Sequence, residues 1–270
     1  MANPTGSFIW YELVTSDPDA AGDFYGAVVG WKFSGPPAGA DGVDYRHIVR
    51  EDGGSGGGVL ALTADMQAGG ARPCWLGYIQ VANVDAAVSA IVADGGNVLM
   101  PRMSIEVGSF ALVTDPQGAP FYVMDPIPPA GMDGMESDVF SPTEPQRVRW
   151  NELMAADADA ALAFYRRHFG WDQEGAMDMG ALGQYRFLQC GGVTIGAVMP
   201  KMPQVPVPFW NLYIGVDDID RAVAAIAAGG GQVIHGPHEI PGGEFALNGI
   251  DPQGAHFGLV GPRGGMTAQS

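Results

Sequence analysis

The sequence predicts an α+β fold of four β-α-β-β-β motifs, arranged as two tandem, pseudo-symmetric modules. Residues 8–31 and 148–171 align without a gap and share 11 of 24 residues, and residues 75–105 and 210–240 share 14 of 31. A repeat of this length is too long for a solenoid and indicates a duplicated module. Any cleft that one module forms is therefore expected again in the other.

The helices have clear start and stop signals. Asp17 is a favoured N-cap and Pro18 a favoured first helical residue; apolar residues then recur at helical spacing, and Gly30 ends the helix. The second module repeats this start at Asp157. An alanine-rich helix is predicted over residues 84–93 and ends at a pair of glycines.

Apolar runs bounded by turn residues predict the strands. A flexible, glycine-rich hairpin turn is expected at residues 53–58, and the repeated Asp-Pro-Gln-Gly at 115–118 and 251–254 suits a type I turn. The predicted strands are residues 8–14, 45–50, 59–63, 75–81, 110–114 and 121–124, with 185–190 and 193–199 as counterparts in the second module.

The chain is expected to divide into four segments. A first module spans residues 1–124, a linker rich in proline and acidic residues spans 125–147, a second module spans 148–262, and a frayed tail spans 263–270. The protein is expected to be a monomer or a homodimer.

Composition argues against two classes of partner. The chain has 13 Lys and Arg against 30 Asp and Glu, a formal charge of −17, and such a surface repels nucleic acid and anionic membranes. No run approaches the roughly 20 apolar residues of a membrane span, and the N-terminus lacks the pattern of a signal peptide. Cys74 and Cys190 occupy non-equivalent places in the repeats, which favours reduced cysteines and a cytoplasmic location.

The pattern L-x-x-x-D-x-x-A-A-x-x-F-Y-x-x-x-x-G-W, together with V-x-x-V-D-A-A-V and D-P-Q-G-A, resembles the vicinal oxygen chelate superfamily. That superfamily contains glyoxalase I, bleomycin-resistance proteins and extradiol dioxygenases. The resemblance covers both halves and is closest to tandem glyoxalase-like proteins. It implies that paired motifs curl into half-barrel sheets with helices outside, whose concave faces bind a small molecule, often through a divalent metal.

The metal ligands that this resemblance implies are absent from the matching positions. None of these positions carries His, Asp or Glu, whereas a divalent ion needs at least three such donors that converge. No metal or other cofactor is therefore predicted, with a divalent metal kept as the lesser alternative. The matched positions are Trp10, Leu76, Tyr122, Trp150, Asn211 and Gly258.

A glutamate repeated in mid-strand is the most informative polar residue. Strand alternation places Glu12 and Glu152 on the concave face, opposite Leu13. Each could be a general base or ligand anchor. Alternatively, each could be a structural carboxylate that pairs with the repeated Arg46 or Arg186.

Further residues are predicted on the same concave faces by alternation or by their matched positions. The ligand-binding candidates are Trp10, Tyr78, Tyr122, Trp150, Asn211, Tyr213 and His256. His235 and His238 lie close in sequence to Glu239 and Glu244, which leaves a local metal site as one interpretation. The favoured interpretation is that both histidines are exposed to solvent in a loop, because a Gly-Pro loop offers no helical face on which these side chains could converge on a metal.

Two functions follow from these residues. The first is metal-independent binding of a small apolar or carbonyl-bearing molecule in an aromatic cleft. The second is a glyoxalase-like lyase or isomerase in which Glu12 or Glu152 removes a proton next to a carbonyl.

Overall fold

A computed structural model describes residues 3–35, 42–128, 136–203 and 205–264. Its element order confirms the α+β class and the four β-α-β-β-β motifs in two tandem modules. Parts of two predicted segments lie outside the described residues, namely 129–135 of the linker and 265–270 of the tail.

The strands of the described residues follow the predicted order. They are β1 (Phe8–Thr15), β2 (Lys32–Phe33), β3 (Tyr45–Val49), β4 (Ser55–Ala61), β5 (Cys74–Gln80), β6 (Asn97–Ile105), β7 (Gly108–Thr114), β8 (Pro120–Pro126), β9 (Val148–Ala155), β10 (Asp172–Asp178), β11 (Gln184–Cys190), β12 (Val193–Pro200), β13 (Phe209–Gly215), β14 (Gln232–Glu239), β15 (Phe245–Ile250) and β16 (His256–Gly261).

The helices that the sequence predicts begin and end at the expected residues, whereas α2 and a 3-10 turn were not predicted. Asp17 caps the first helix by accepting a hydrogen bond from the Ala20 amide at 3.0 Å, and Gly30 ends it with a φ of 90°, which favours glycine. Asp157 caps the equivalent helix in the same way. The helices are α1 (Pro18–Val29), α2 (Ala64–Ala68), α3 (Val84–Ala93), α4 (Ala158–Phe169) and α5 (Ile219–Ala228), with a 3-10 turn at Gly180–Leu182.

Each module forms one mixed sheet. The order in the first module is β2-β3-β4-β1-β5-β8-β7-β6, and the second module repeats it as β10-β11-β12-β9-β13-β16-β15-β14. Within a motif the first strand pairs parallel to the last, as β1 does to β4 and β9 to β12. The edge strands β6 and β14 are therefore equivalent.

The chain packs into two compact units, each of which draws on both modules. The first comprises Met1–Trp10, Leu76–Ser137 and Trp150–Asn211, and contains α3 packed against α4. The second comprises Tyr11–Trp75, Asp138–Arg149 and Leu212–Ser270, and contains α1 packed against α5.

A buried Asp-Tyr-Trp chain lies in the first compact unit. Tyr165 donates to Asp115 Oδ2 at 3.2 Å and accepts from Trp210 Nε1 at 3.0 Å. Asp115 Oδ1 also accepts from the amides of Gln117 and Ala119. Asp115 is 0% exposed, and this burial raises the pKa of its carboxyl. The Asp-Pro-Gln-Gly turn is thus also the source of a buried carboxylate.

The second compact unit contains the equivalent chain. Tyr25 donates to Asp251 Oδ2 at 3.1 Å and accepts from Trp75 Nε1 at 2.9 Å. Burial likewise raises the pKa of Asp251. In each unit the carboxylate and the tyrosine come from different modules, so this contact connects the two halves of the chain.

The prediction of a glycine-rich turn at residues 53–58 is wrong for residues 55–58. Strand β4 begins at Ser55, so the glycines at 56–58 are paired strand residues. The reason is close packing: a Cβ on Gly57 would lie 2.4 Å from the Tyr11 carbonyl oxygen in the neighbouring strand. Glycine at this position allows the backbones of the two strands to approach closely, rather than making the segment flexible.

Gly196→Ala should be strongly destabilising, because a Cβ at this position would lie 1.9 Å from the Asn151 carbonyl oxygen. The parallel pair of β9 and β12 would have to separate, and we expect a loss of about 3 kcal/mol or more in the free energy of unfolding. Gly35→Ala is the matched control, since nothing lies within 4 Å of its Cβ. Urea unfolding measures both, and equal stability of the two variants would contradict this packing.

Candidate functional site

Strand register in the second module decides which side chains share a face. Leu153, Val198 and Arg186 form one row across β9, β12 and β11, and Arg186 pairs with Asp159 of α4. This row therefore faces the helix. The adjacent row consists of Glu152, Ala197 and Phe187 and must lie on the opposite face.

The predicted pairing of glutamate with arginine is wrong in both modules. Arg186 binds Asp159, as described above. Arg46 binds Asp19 at 2.5 Å and Asp44 at 2.9 Å, because it shares the helix-facing row of Leu13. A one-residue step along a strand reverses the face, so neither arginine can reach its glutamate.

Glu152 instead belongs to an aromatic cluster on β9 and β11, which we call the Glu152 cluster and which consists of Trp150, Glu152, Tyr185 and Phe187. Tyr185 donates to Glu152 Oε2 at 2.8 Å and accepts from Trp150 Nε1 at 2.7 Å. The Trp150 and Tyr185 rings are nearly parallel, with centroids 6.4 Å apart, and Phe187 packs edge-on against Trp150 at 6.0 Å.

Exposure differs within the Glu152 cluster. Glu152 is only 5% exposed, whereas the Trp150, Tyr185 and Phe187 rings are each half-buried. The rings can therefore contact a bound molecule while they shield the carboxylate from water. A carboxylate in such a setting can bind a hydrogen-bond donor or exchange a proton with its ligand.

The first module has residues of the same kind at the equivalent strand positions, with one change. Glu12 shares a row with Gly58 and His47, so His47 stands where the second module has Phe187. Tyr45 lies 5.7 Å from His47, at the position of Tyr185. Glu12 is 2% exposed, and Trp10, at the position of Trp150, is half-buried. Tyr185 was not identified as a site residue from the sequence. The signal that could have identified it is the Tyr-Arg pair that precedes Phe187 in the second module and His47 in the first.

Glu12→Gln should make Cys74 more reactive. Burial, together with the negative charge of Glu12, raises the pKa of the Cys74 thiol to about 12. Loss of that charge lowers the thiol pKa and increases the thiolate fraction. The measurement is the rate of iodoacetamide labelling of the Cys74 peptide by mass spectrometry. Glu152→Gln is the control and should leave this rate unchanged; an unchanged rate in Glu12→Gln would show that its carboxylate does not act on Cys74.

Two other predicted residues meet in the first compact unit. Tyr78 and Tyr122 are paired in register and their rings stack at 4.1 Å, with Phe110 packed against both. Both tyrosines are buried, as is Asn211. The sequence thus located an aromatic wall on β5 and β8 but did not identify Phe110.

In the second compact unit the equivalent pair is Tyr213 and Gly258. They are in register, and a Cβ on Gly258 would lie 2.5 Å from the Tyr213 ring, so that ring covers the glycine. His256 is exposed at the start of β16, two residues before Gly258. His235 and His238 are exposed as predicted, but they belong to strand β14 rather than to a loop.

The donor residues do not fit a divalent metal. Within the described residues, no three His, Cys, Asp or Glu side chains lie close enough to hold an ion. The matched ligand positions carry tryptophan, leucine, tyrosine, asparagine and glycine, which supply no suitable set of donors. No chemical step through a metal is derived.

Two cavities of the second compact unit do not involve any predicted residue. One, of 540 Å³, is lined by polar residues that include Asp52, Arg147 and Arg221. These arginines are already bound, Arg147 to Asp52 and Arg221 to Asp217. The other, of 380 Å³, lies beside Arg72 and Gln253.

The comparisons with known proteins agree with this arrangement. A family model described as Glyoxalase/Bleomycin resistance protein/Dioxygenase superfamily matches residues 7–123 and 147–258. The chain is 36% identical over 259 residues, 94% of each chain, to the protein named "Putative glyoxylase CFP32" of Mycobacterium tuberculosis. It is 28% identical to "Anthracycline biosynthesis protein DauV" of Streptomyces sp. strain C5, over 94% of this chain and 93% of that protein.

Solved structures show the same fold at low sequence identity. The Mn(II)-bound glyoxalase from Novosphingobium aromaticivorans superposes with a TM-score of 0.62 at 16% identity, covering 96% of this chain and 82% of its own. The halotolerant catechol dioxygenase BphC gives 0.63 at 15% identity, covering 96% and 87%. Among the described residues, no helix is long and apolar enough to cross a membrane.

Proposed function

Because the chain belongs to the Glyoxalase/Bleomycin resistance protein/Dioxygenase superfamily, we propose that it binds a small apolar or carbonyl-bearing molecule against the Glu152 cluster. The observation that carries this proposal is the set of three half-buried rings around one buried carboxylate. Ligand pockets combine such apolar walls with a few fixed polar groups. A flat ligand would stack on the rings and exclude water from Glu152.

The hydrogen bonds of the cluster favour a preformed surface. The Tyr185 hydroxyl is held between Trp150 and Glu152, so this side chain cannot move to another rotamer without breaking two hydrogen bonds. A surface that is ordered before binding loses less conformational entropy when the ligand arrives. Binding needs no metal, in line with the missing donors.

Trp150→Ala tests the binding function. We expect at least a tenfold loss of affinity, about 1.4 kcal/mol, for 2-acetonaphthone, an aromatic ketone, because the largest ring of the surface is removed. Isothermal titration calorimetry measures the affinity. Trp10→Ala is the matched control for the first module. Equal affinity of Trp150→Ala and the wild type would exclude this surface as the ligand site.

The second candidate function is a lyase or isomerase with Glu152 as general base. The observation that favours it is the hydrogen bond from the Tyr185 hydroxyl to a buried carboxylate, which could relay a proton. A relative named as a glyoxylase is consistent with carbonyl chemistry for this chain. The cytoplasmic location, the small-molecule partner and the monomeric or dimeric state remain predictions from the sequence.

A further inference from the structure

One row of side chains crosses the sheet of the second motif and is apolar along its whole length. Met100, Leu112, Tyr122 and Tyr78 are in register across β6, β7, β8 and β5. A second row on the same face continues with Met103, Phe110 and Met124. This face of the first compact unit therefore offers methionine and aromatic surface.

The equivalent rows of the fourth motif each begin with a histidine on the edge strand. His235, Asn248, Gly258 and Tyr213 are in register across β14, β15, β16 and β13. The next row is His238, Ala246 and Val260. Met100 and Met103 of the second motif are thus replaced by histidines in the fourth, and Met124 is replaced by valine. The leucine is replaced by asparagine, and two aromatic residues are replaced by alanine and glycine.

The two imidazoles stand together on this face. The register of β14 shifts between His235 and His238, so His235 lies opposite Asn248 and His238 lies opposite Ala246. Asn248 and Ala246 point to the same side of the sheet, and the centroids of the two imidazole rings lie 4.4 Å apart. Both are exposed. Within the part of the chain that the structure describes, neither imidazole forms a hydrogen bond, and the two rings pack against each other.

Among the described residues, the two glutamates nearest in sequence, Glu239 and Glu244, do not pair with the imidazoles. Glu239 follows His238 directly and pairs with Phe245, so strand alternation sends it to the opposite face. Glu244 is held by both terminal nitrogens of Arg149 at 2.8 Å. Imidazole N–H groups are suited to bind oxygen atoms.

We propose that His235 and His238 form a binding site for a small molecule that carries a carboxylate. Two adjacent imidazoles supply donors for its two oxygens, and the small residue Ala246 leaves the sheet surface low beside them. The two modules then differ in specificity, because the equivalent face of the second motif presents apolar side chains. This site shares no residue with the Glu152 cluster.

The test compares 1-naphthoate with its neutral analogue 1-naphthamide by isothermal titration calorimetry at about pH 6.5. We expect wild-type protein to prefer 1-naphthoate. The variant His235→Met/His238→Met carries the residues of the first module; it should lose roughly tenfold in affinity for 1-naphthoate and keep its affinity for 1-naphthamide. Met100→Ala/Met103→Ala is the control and should leave 1-naphthoate binding unchanged.

A second measurement guards against a folding defect in the variant. In wild-type protein, titration with 1-naphthoate should shift the imidazole NMR signals of His235 and His238, while those of the partly buried His168, which binds Asp94, stay fixed. Unshifted signals, or equal affinity of variant and wild type for 1-naphthoate, would overturn the proposal. Failure of Trp150→Ala to weaken 2-acetonaphthone binding would instead bear only on the Glu152 cluster.

Discussion

Asp115→Ala is expected to lower the free energy of unfolding by roughly 3 kcal/mol or more. The change leaves three buried donors without an acceptor, namely the Tyr165 hydroxyl and the amides of Gln117 and Ala119. Each unsatisfied donor costs about 1–3 kcal/mol. Thermal and urea unfolding measure the loss, and the exposed Asp65→Ala is the control. A loss below about 1 kcal/mol would show that the buried chain does not stabilise the fold.

Asp115→Asn separates the charge of this group from its shape. Burial raises the pKa of Asp115 in the folded protein above its unfolded value, so the folded state binds the proton more tightly. The stability that this group contributes is therefore complete below the unfolded pKa and is lost as pH rises through the folded pKa. Asparagine does not titrate, so Asp115→Asn should remove that fall and should cost less than Asp115→Ala at neutral pH.

Glu152→Gln is expected to abolish proton transfer, if the protein is an enzyme, while leaving the fold intact. A general base next to a carbonyl would exchange the methyl protons of 2-acetonaphthone with solvent deuterium. Loss of the base should slow this exchange by about 10²–10⁴-fold. The amide oxygen of glutamine can still accept from Tyr185, so the free energy of unfolding should change by less than about 1 kcal/mol. Proton NMR in deuterium oxide measures the exchange.

Glu12→Gln is the matched variant in the first module, since the two glutamates occupy equivalent positions. Exchange that is lost only in Glu152→Gln assigns the chemistry to the second module. Exchange that persists in Glu152→Gln contradicts its role as base. Wild-type protein that binds 2-acetonaphthone without exchange has the binding function alone.

The repeat made the motif order predictable, because local signals such as Asp17-Pro18 and Gly30 recur in both modules and agree with the long-range pattern. Short or polar strands were missed. Strand β10 (Asp172–Asp178) has no apolar alternation, and β14 contains a Gly-Pro pair that is typical of loops. Pairing with β11 and β15 overrides these local preferences.

The candidate site was predictable only in part. Strand alternation correctly placed Glu152 and Leu153 on opposite faces of the sheet. The predicted arginine partner of Glu152 was wrong, because the face on which Arg186 lies depends on the register between β11 and β12, and no local sequence signal encodes that register. The rows through His235 and Met100 depend in the same way on register shifts in β14 and β6. Such shifts are set by three-dimensional pairing.

A crystal structure of the protein soaked with 2-acetonaphthone would test the ligand site most directly. We expect the naphthalene ring to lie against Trp150, Tyr185 and Phe187, with the carbonyl group near Glu152. A ligand bound elsewhere, with the rings of the Glu152 cluster unoccupied, would contradict it.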